Sequence, residues 1–290
     1  MVLSLTGFLV ASLLSSPSPR PRRQATQHPA AHRSKAEATA ADRKVTPGPA
    51  DLFAVPALSS YLASCTDDIT AAVYDDVTGQ TWLYRPGVAE DMASIMKVDI
   101  MATLLEQGQV AHRTLTADEV ELSQGMIEES NNDDAQDLWD DEGGASAVSR
   151  FDTQAGLTET TPDTAGYWGL STTTASDQVQ LLKRIAYPNS VLTDESRLYE
   201  LGLMTHVDPN QSWGISSGVD PSATVAIKNG WLPLDSGGWQ INSIGYVDGD
   251  GRDYVVAVLS NGNDTEAAGI TTVEGLAALV WKELAPATRT

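Results

Sequence analysis

The chain has a single cysteine, Cys65, and only four histidines in 290 residues. One thiol excludes an internal disulfide, and there is no cysteine cluster for a structural zinc site. His112 and His206 have no Cys or His at metal-ligand spacing, so each reads as a packing or surface residue, and no metal or other cofactor is expected. Basic residues are scarce after residue 50: 11 Lys and Arg against 37 Asp and Glu give residues 51–290 a formal charge of −26, whereas the first fifty hold seven basic and two acidic residues. A surface of that sign excludes nucleic acid as a partner. Long apolar runs are missing too. Residues 2–14 are apolar but too short to span a bilayer in the mature chain; they suit the hydrophobic region of an export signal, although no Lys or Arg precedes them. Residues 15–50 are rich in Pro, Ala, Ser and Arg without an apolar period, which gives a flexible leader with a candidate cleavage region at 38–41. Residues 1–50 are thus an export signal and leader. Residues 51–290 form one domain without repeats, secreted or extracytoplasmic, and expected to be a monomer.

What the chain does contain is an ordered set of three short motifs: Ser94-Ile95-Met96-Lys97, then Ser130-Asn131-Asn132, then Lys228-Asn229-Gly230. A serine hydroxyl is a poor nucleophile at neutral pH and needs a base within reach, and a Lys one helical turn later supplies one on the same element. Residues 93–106 carry Ile95, Met96, Val98, Ile100, Met101, Leu104 and Leu105, apolar on most sides, which predicts a buried central helix. Ser94 then stands at its N-terminus, where free N–H groups and the positive dipole end favour developing negative charge.

Together the three motifs resemble the serine β-lactamase and penicillin-binding protein superfamily, in which Ser-x-x-Lys, Ser-x-Asn and Lys-Thr-Gly elements converge on one cleft. Over residues 53–287 the resemblance implies Ser94 as the acylated nucleophile and Lys97 as its activating partner. Ser130 passes a proton to the leaving nitrogen, Asn132 holds the substrate's side-chain amide, and Lys228 sets the electrostatics of the far wall. The N–H groups of Ser94 and of Trp231, the residue after Gly230, form the oxyanion hole. Element order agrees with such a fold: residues 224–228, 239–247 and 254–259 read as an antiparallel meander, 69–74 and 81–84 as a hairpin, 272–284 as a final helix, and 94–206 as a mostly helical block. The fold class is therefore α+β, an α/β sandwich: a β-lactamase/transpeptidase-like antiparallel sheet flanked by helices, with a helical subdomain inserted.

The sequence departs from the family in three places. Asn229 replaces Thr or Ser in the third motif, the stretch from Ser94 to Ser130 is short, and the loop after Gly156-Leu157 lacks an Arg-x-x-x-Glu-Pro-Glu-Leu-Asn signature. Asn229 can still donate to a substrate carboxylate. Glu159 is the nearest carboxylate to the expected deacylation base, with Asp163 second, ahead of a Thr172-Thr173-Thr174 helix start. Other signals have plainer explanations. Asp235-Ser236-Gly237-Gly238 is a turn between strands, and Asp248-Gly249-Asp250-Gly251 is a hairpin turn without the closing Glu of a calcium loop. Leu62-Ala63-Ser64-Cys65 resembles a lipoprotein cleavage box but follows an amphipathic stretch at 52–62 that reads as a packed first helix. The acidic run around Ser130, from Glu128 to Glu142, reads as a solvated helix face that disfavours strongly anionic substrates. The expected function is an exported active-site serine hydrolase forming an acyl-enzyme with a β-lactam or a D-Ala-D-Ala-like peptide. The alternatives are a penicillin-binding, D,D-peptidase or esterase-like protein with slow deacylation, or a non-catalytic cell-envelope binding protein with the same fold.

Overall fold

The computed structural model describes residues 43–44, 48–235, 238–284, 286 and 288–289. The export stretch, the leader through residue 42 with its cleavage region, and Ser236-Gly237 of the Gly-rich turn lie outside these residues.

Along the chain, β1 (Arg43–Lys44) is followed by α1 (Pro56–Ser64), the hairpin strands β2 (Asp68–Asp75) and β3 (Gln80–Tyr84), and β4 (Glu90–Asp91). A 3-10 turn, Ala93–Ile95, leads into α2 (Met96–Val110), and then α3 (Ala117–Glu128), α4 (Asn132–Glu142) and α5 (Gly144–Ala155) follow. A loop containing a 3-10 turn, Trp168–Leu170, and β5 (Thr172–Thr173) precedes α6 (Ala175–Ala186) and α7 (Asp194–Met204). The chain closes with β6 (Thr224–Pro233), β7 (Trp239–Gly249), β8 (Arg252–Asn263), α8 (Glu266–Glu283) and β9 (Thr288–Arg289). The main sheet runs β3-β2-β8-β7-β6 with every pair antiparallel, while β1 pairs with β9 and β4 with β5. This is the expected sandwich of a sheet built from both chain ends with a helical insert.

Strand alternation divides the core. Ile69, Ala71 and Val73 of β2, with Tyr254, Val256 and Val258 of β8, join Leu58 of α1 and Val273, Leu276 and Val280 of α8. Their neighbours Ala72, Val255, Ala257 and Leu259 face the other way and pack into the helical insert around Ile100, Met101, Phe151 and Leu181. A period-two side-chain pattern buried on both faces explains the near-continuous apolar runs of these strands. The β7–β8 turn is made by Asp250 and Gly251 at φ 49° and 77°, a two-residue hairpin of the expected kind. Of the helix expected at 52–62, only the part from Pro56 is helical, as α1, which runs on to Ser64 with Leu58 and Leu62 buried and the Cys65 thiol donating to Tyr61 O at 3.3 Å. Cleavage before Cys65 would strip this helix from the core, which sets the cleavage-box resemblance aside. The final helix begins at Glu266, ahead of the expected 272, because Thr265 caps it by accepting from Ala268 N.

Two elements set up the cleft. Helix α2 is buried on nearly all sides, as its composition predicts, and the 3-10 turn before it packs against β6 and β7.

Candidate active site

Ser94 lies within the 3-10 turn that feeds α2, and Lys97 is three residues on in the first turn of that helix. The approach to Ser94 is constrained. Ala93 takes φ 49°, a left-handed conformation that an L residue adopts only when its surroundings impose it. Here Asn242, buried on β7, donates its amide to Asp91 O at 2.8 Å and Met92 O at 3.0 Å, and Met92 N donates to Ser171 O at 2.8 Å. From the other side Gly230 approaches so closely that a Cβ there would stand 2.7 Å from both Ser94 N and Ile95 N. Glycine is required at 230 by that contact rather than by its own φ.

The second motif sits at the junction of α3 and α4. Asn131 caps α4, its Oδ1 accepting from Asp133 N at 2.8 Å and Asp134 N at 3.2 Å. Its neighbours Ser130, itself at φ 56°, and Asn132 then turn to Lys97. Lys97 Nζ lies 2.6 Å from Ser130 O, 3.0 Å from Ser130 Oγ and 2.7 Å from Asn132 Oδ1. Lys228, on β6, brings its Nζ to 2.9 Å from the same Ser130 Oγ and 3.0 Å from Asn229 O. Ser130 Oγ therefore stands between two buried amines.

That arrangement sets protonation. Burial pushes Lys97 down to about 7, with the Asp134 carboxylate partly offsetting the shift. Burial and then the nearby Lys97 charge hold Lys228 well below the ordinary lysine range. Two ammonium groups sharing one hydroxyl repel each other in a poorly hydrated setting, so one of them gives up its proton readily. A neutral Lys97 satisfies every contact: it donates to the carbonyl oxygens of Ser130 and Asn132, which only accept, and its lone pair takes the Ser130 hydroxyl proton. No hydrogen bond joins Ser94 Oγ to Lys97 among the described residues, and Ser94 stays partly exposed to the cleft.

The side chains of Asn229, Glu159 and Trp231 point to partners outside this network, although Asn229 O accepts from Lys228 and the role expected of Trp231 rests on its N–H rather than its ring. Asn229 is buried and its amide donates to Gln211 O and Trp213 O, both at 2.8 Å, so it ties the 205–223 loop to β6 instead of presenting a donor to substrate. Glu159 is exposed; its N donates to Asp177 Oδ2 at 2.7 Å, its Oε2 accepts from Thr174 Oγ1 at 3.3 Å, and none of these partners belongs to the Lys97 network. Trp231 is half-buried and packs edge-on against Trp213, ring centroids 5.8 Å apart. Two residues that the motifs did not flag belong to the site. Asn242 fixes the backbone before Ser94, and Trp168 lays its ring 5.0 Å from Lys97 Nζ. Trp168 lies in an irregular loop with no periodic signal, and Asn242 stands in a strand that also carries Gln240 and Ser243, so residue type alone marked neither. Among the described residues no group of His, Cys, Asp and Glu converges at metal-ligand geometry.

A buried Lys one turn after a Ser, a second Ser and a Lys from a sheet strand, set between an antiparallel sheet and a helical insert, define the architecture of the active-site serine β-lactamases and penicillin-binding proteins. The chain belongs to the β-lactamase enzyme family, whose model matches residues 112–284, a span that takes in Ser130, Asn132 and Lys228 and begins after Ser94 and Lys97. The fold is shared with a class A β-lactamase from Bacteroides cellulosilyticus, at TM-score 0.68 and 17% identity over 78% of this chain and 95% of that one. It is shared equally with PBP-A, at TM-score 0.69 and 18% identity over 82% of this chain and 98% of that one. LppW of Mycobacterium tuberculosis, which bears a lipoprotein name, is 24% identical over 200 residues, 66% of this chain and 62% of its own length. The chain thus spans about 62% of that curated relative.

Proposed function

We propose that the protein is an exported active-site serine hydrolase that forms an acyl-enzyme on Ser94 with a β-lactam or a D-Ala-D-Ala-like amide. The observation that carries the reading is Ser130 Oγ held at 3.0 Å from Lys97 Nζ and 2.9 Å from Lys228 Nζ, a proton relay through Lys97, on the helix that the turn bearing Ser94 feeds. Ser94 Oγ attacks the carbonyl carbon and its proton passes to neutral Lys97, a contact that tightens only once substrate is bound. The C–N bond then breaks as Ser130 gives a proton to the nitrogen, and Lys97 reprotonates Ser130. The N–H groups of Ser94 and Trp231 stabilise the oxyanion, a donor being worth about 3–4 kcal/mol. Asn132, exposed at the lip of the cleft, is the contact for the substrate's side-chain amide. Lys228 supplies the positive charge of the far wall, and a substrate carboxylate would draw it back to the charged form. Export is supported by the lipoprotein name of LppW and by the strongly acidic composition; no helix among the described residues is long and apolar enough to cross a membrane.

One observation favours a slow-turnover form of the same activity. Glu159, the candidate base for deacylation, is exposed and bonded to Thr174 rather than to the Lys97 network. Incubation with a fluorescent penicillin and a chromogenic cephalosporin, followed by intact mass, tests the reading. Wild type should label in a ratio of one per chain, and Ser94→Ala should not label, since Ser130, the other hydroxyl beside an amine, serves as the proton donor and not as the attacking group. Undiminished labelling of Ser94→Ala would remove the assignment.

A further inference from the structure

The loop between α5 and α6 is fastened to the segment leading into Ser94. Thr172 and Thr173 pair with Asp91 and Glu90, Thr161 and Thr172 exchange backbone hydrogen bonds at 2.8 and 3.0 Å, and Ser171 Oγ accepts from Asp163 N at 2.9 Å. Within this frame Ser171 N donates to Trp168 O at 3.1 Å, and a Cβ at Gly169 would lie 3.8 Å from Ala93 Cα. The Trp168 ring is therefore held over Lys97 by backbone bonds on both sides of it, at 5.0 Å from Nζ. Lys97 is fully buried. Its tetrahedral nitrogen has one direction taken by its own carbon and the other three by Ser130 O, Ser130 Oγ and Asn132 Oδ1. The direction turned to Ser130 Oγ is the lone pair that Ser94 Oγ must reach on acylation, and the ring, 5.0 Å from Nζ, fills space beside the amine that a water molecule would otherwise occupy.

We infer that Trp168 is a positioning residue that keeps Lys97 dry, so that the site forms an acyl-enzyme faster than it releases one. The inference rests on the reading of Ser94 as the nucleophile and Lys97 as its base. Release requires a water oxygen to attack the ester carbon, the bond from that carbon to Ser94 Oγ to break as that oxygen takes up a proton, and a base to take the water's proton; the ring denies that water access to Lys97. The ring acts on Lys97 in two opposing ways. Its π face attracts an ammonium, which raises a lysine by at most about one and a half pKa units. Its bulk removes water, and full burial lowers a lysine by up to about 3–5 units. Exclusion of water is the larger effect, in keeping with the depressed value of Lys97, whose first cause is burial.

The test compares wild type with Trp168→Phe, Trp168→Ala and, should the Ala protein melt early, Trp168→Gln, which keeps bulk but admits water. Two readouts are taken: the lifetime of the fluorescent-penicillin adduct by intact mass, and the titration of Lys97 by NMR of 13C-labelled lysine, assigned with Lys97→Arg. We expect a long-lived adduct in wild type and in Trp168→Phe. In Trp168→Ala or Trp168→Gln the adduct should clear at least about tenfold faster, and Lys97 should titrate about one unit or more higher. A wild type that turns over the penicillin without accumulating adduct overturns the inference while leaving Ser94 as nucleophile. So do equal lifetimes and equal titrations in wild type and Trp168→Ala. If no protein is acylated, the Ser94 reading fails, and the NMR arm decides alone: a rise confined to the Ala and Gln variants supports shielding, and its absence overturns it.

Discussion

Asp99→Asn should flatten the pH dependence of stability, and the size of the effect follows from a group of acids buried in the helical insert. Asp99 on α2, Glu142 on α4, Asp152 on α5 and Glu200 on α7 are all buried, and none is paired with a Lys or Arg among the described residues. Gln178 offers Asp99 a donor, and with one proton between them Asp99 and Asp152 become partners, whereas the oxygens of Glu142 and Glu200 have no hydrogen-bond partner among the described residues. Burial is the first cause pushing each of the four acids up, and the Asp99 charge adds to the rise in the other three. Asp177 on α6, which accepts from Glu159 N and Thr160 Oγ1, adds its charge to Asp99 and Asp152. A raised acid contributes stability that is complete below its unfolded value near 4 and is lost as pH rises toward the folded value. One carboxyl that keeps its proton between pH 5 and 7 while its unfolded counterpart ionises costs about 1.4 kcal/mol per pH unit, or about 2.7 kcal/mol over the interval. For a domain of this size that is about 5–11 °C in Tm. Asn keeps the shape, cannot ionise and donates its amide to Asp152, so relative to wild type the variant should gain about that much between pH 5 and 7. Lys97 and Lys228 are depressed and act with the opposite sign, but they are common to both proteins and cancel in the comparison. Thermal melts by circular dichroism at half-unit steps, in about 0.5 M NaCl to screen the acidic surface, measure the difference. Parallel Tm curves for the two proteins would show that the buried acids do not control the pH response.

Lys97→Arg should fold normally and lose about two to four orders of magnitude in acylation rate, because Arg retains the charge but does not release its proton; stopped-flow acylation against pH measures this, and near-normal acylation would reduce Lys97 to a structural ion. In wild type the acylation rate should rise with pH through about 7 as Lys97 becomes neutral, and that limb should be missing from Lys97→Arg. Gly230→Ala puts a methyl 2.7 Å from Ser94 N and Ile95 N, so the nucleophile must shift. A displacement of even 1 Å costs about a hundredfold in rate, with a stability loss of only about 1–3 kcal/mol. Labelling rates and melts of the same preparation separate the two, and wild-type labelling by Gly230→Ala would mean that the contact is not part of the site.

What the sequence revealed, and what it hid, depended on how local each cause was. The strands of the sheet were legible because β-branched residues alternate over short runs closed by turns such as Asp250-Gly251, and the chemistry of Ser94 and Lys97 was legible because a base one turn from its nucleophile is a local requirement. Asn229 was different: residue type says only that it can donate, and the choice of acceptor was made by Gln211 O and Trp213 O, contributed by a loop whose path no local pattern fixes. Trp168 likewise takes its position over Lys97 from hydrogen bonds to β4 and to the turn before Ser94, all distant in sequence.

The acids of α4 are the instructive case, because there the signal was present and was outweighed by composition. The run from Asp133 to Glu142 reads as a solvated face, and Asp133, Asp137, Asp140 and Asp141 are indeed exposed. Asp134 and Glu142 are buried. They fall on the stripe of Ala135, Leu138 and Trp139, at the i, i+4 and i+8 spacing that brings residues onto one helix face, so their phase within the helix marked them as interior. A carboxyl on the apolar stripe must find a donor, a cation or a proton. Asp134 lies close enough to Lys97 to oppose its loss of charge, whereas Glu142 lies near Asp99 and must keep its proton. Helical phase, read before residue type, therefore separates the acids that tune the candidate base from those that only face water.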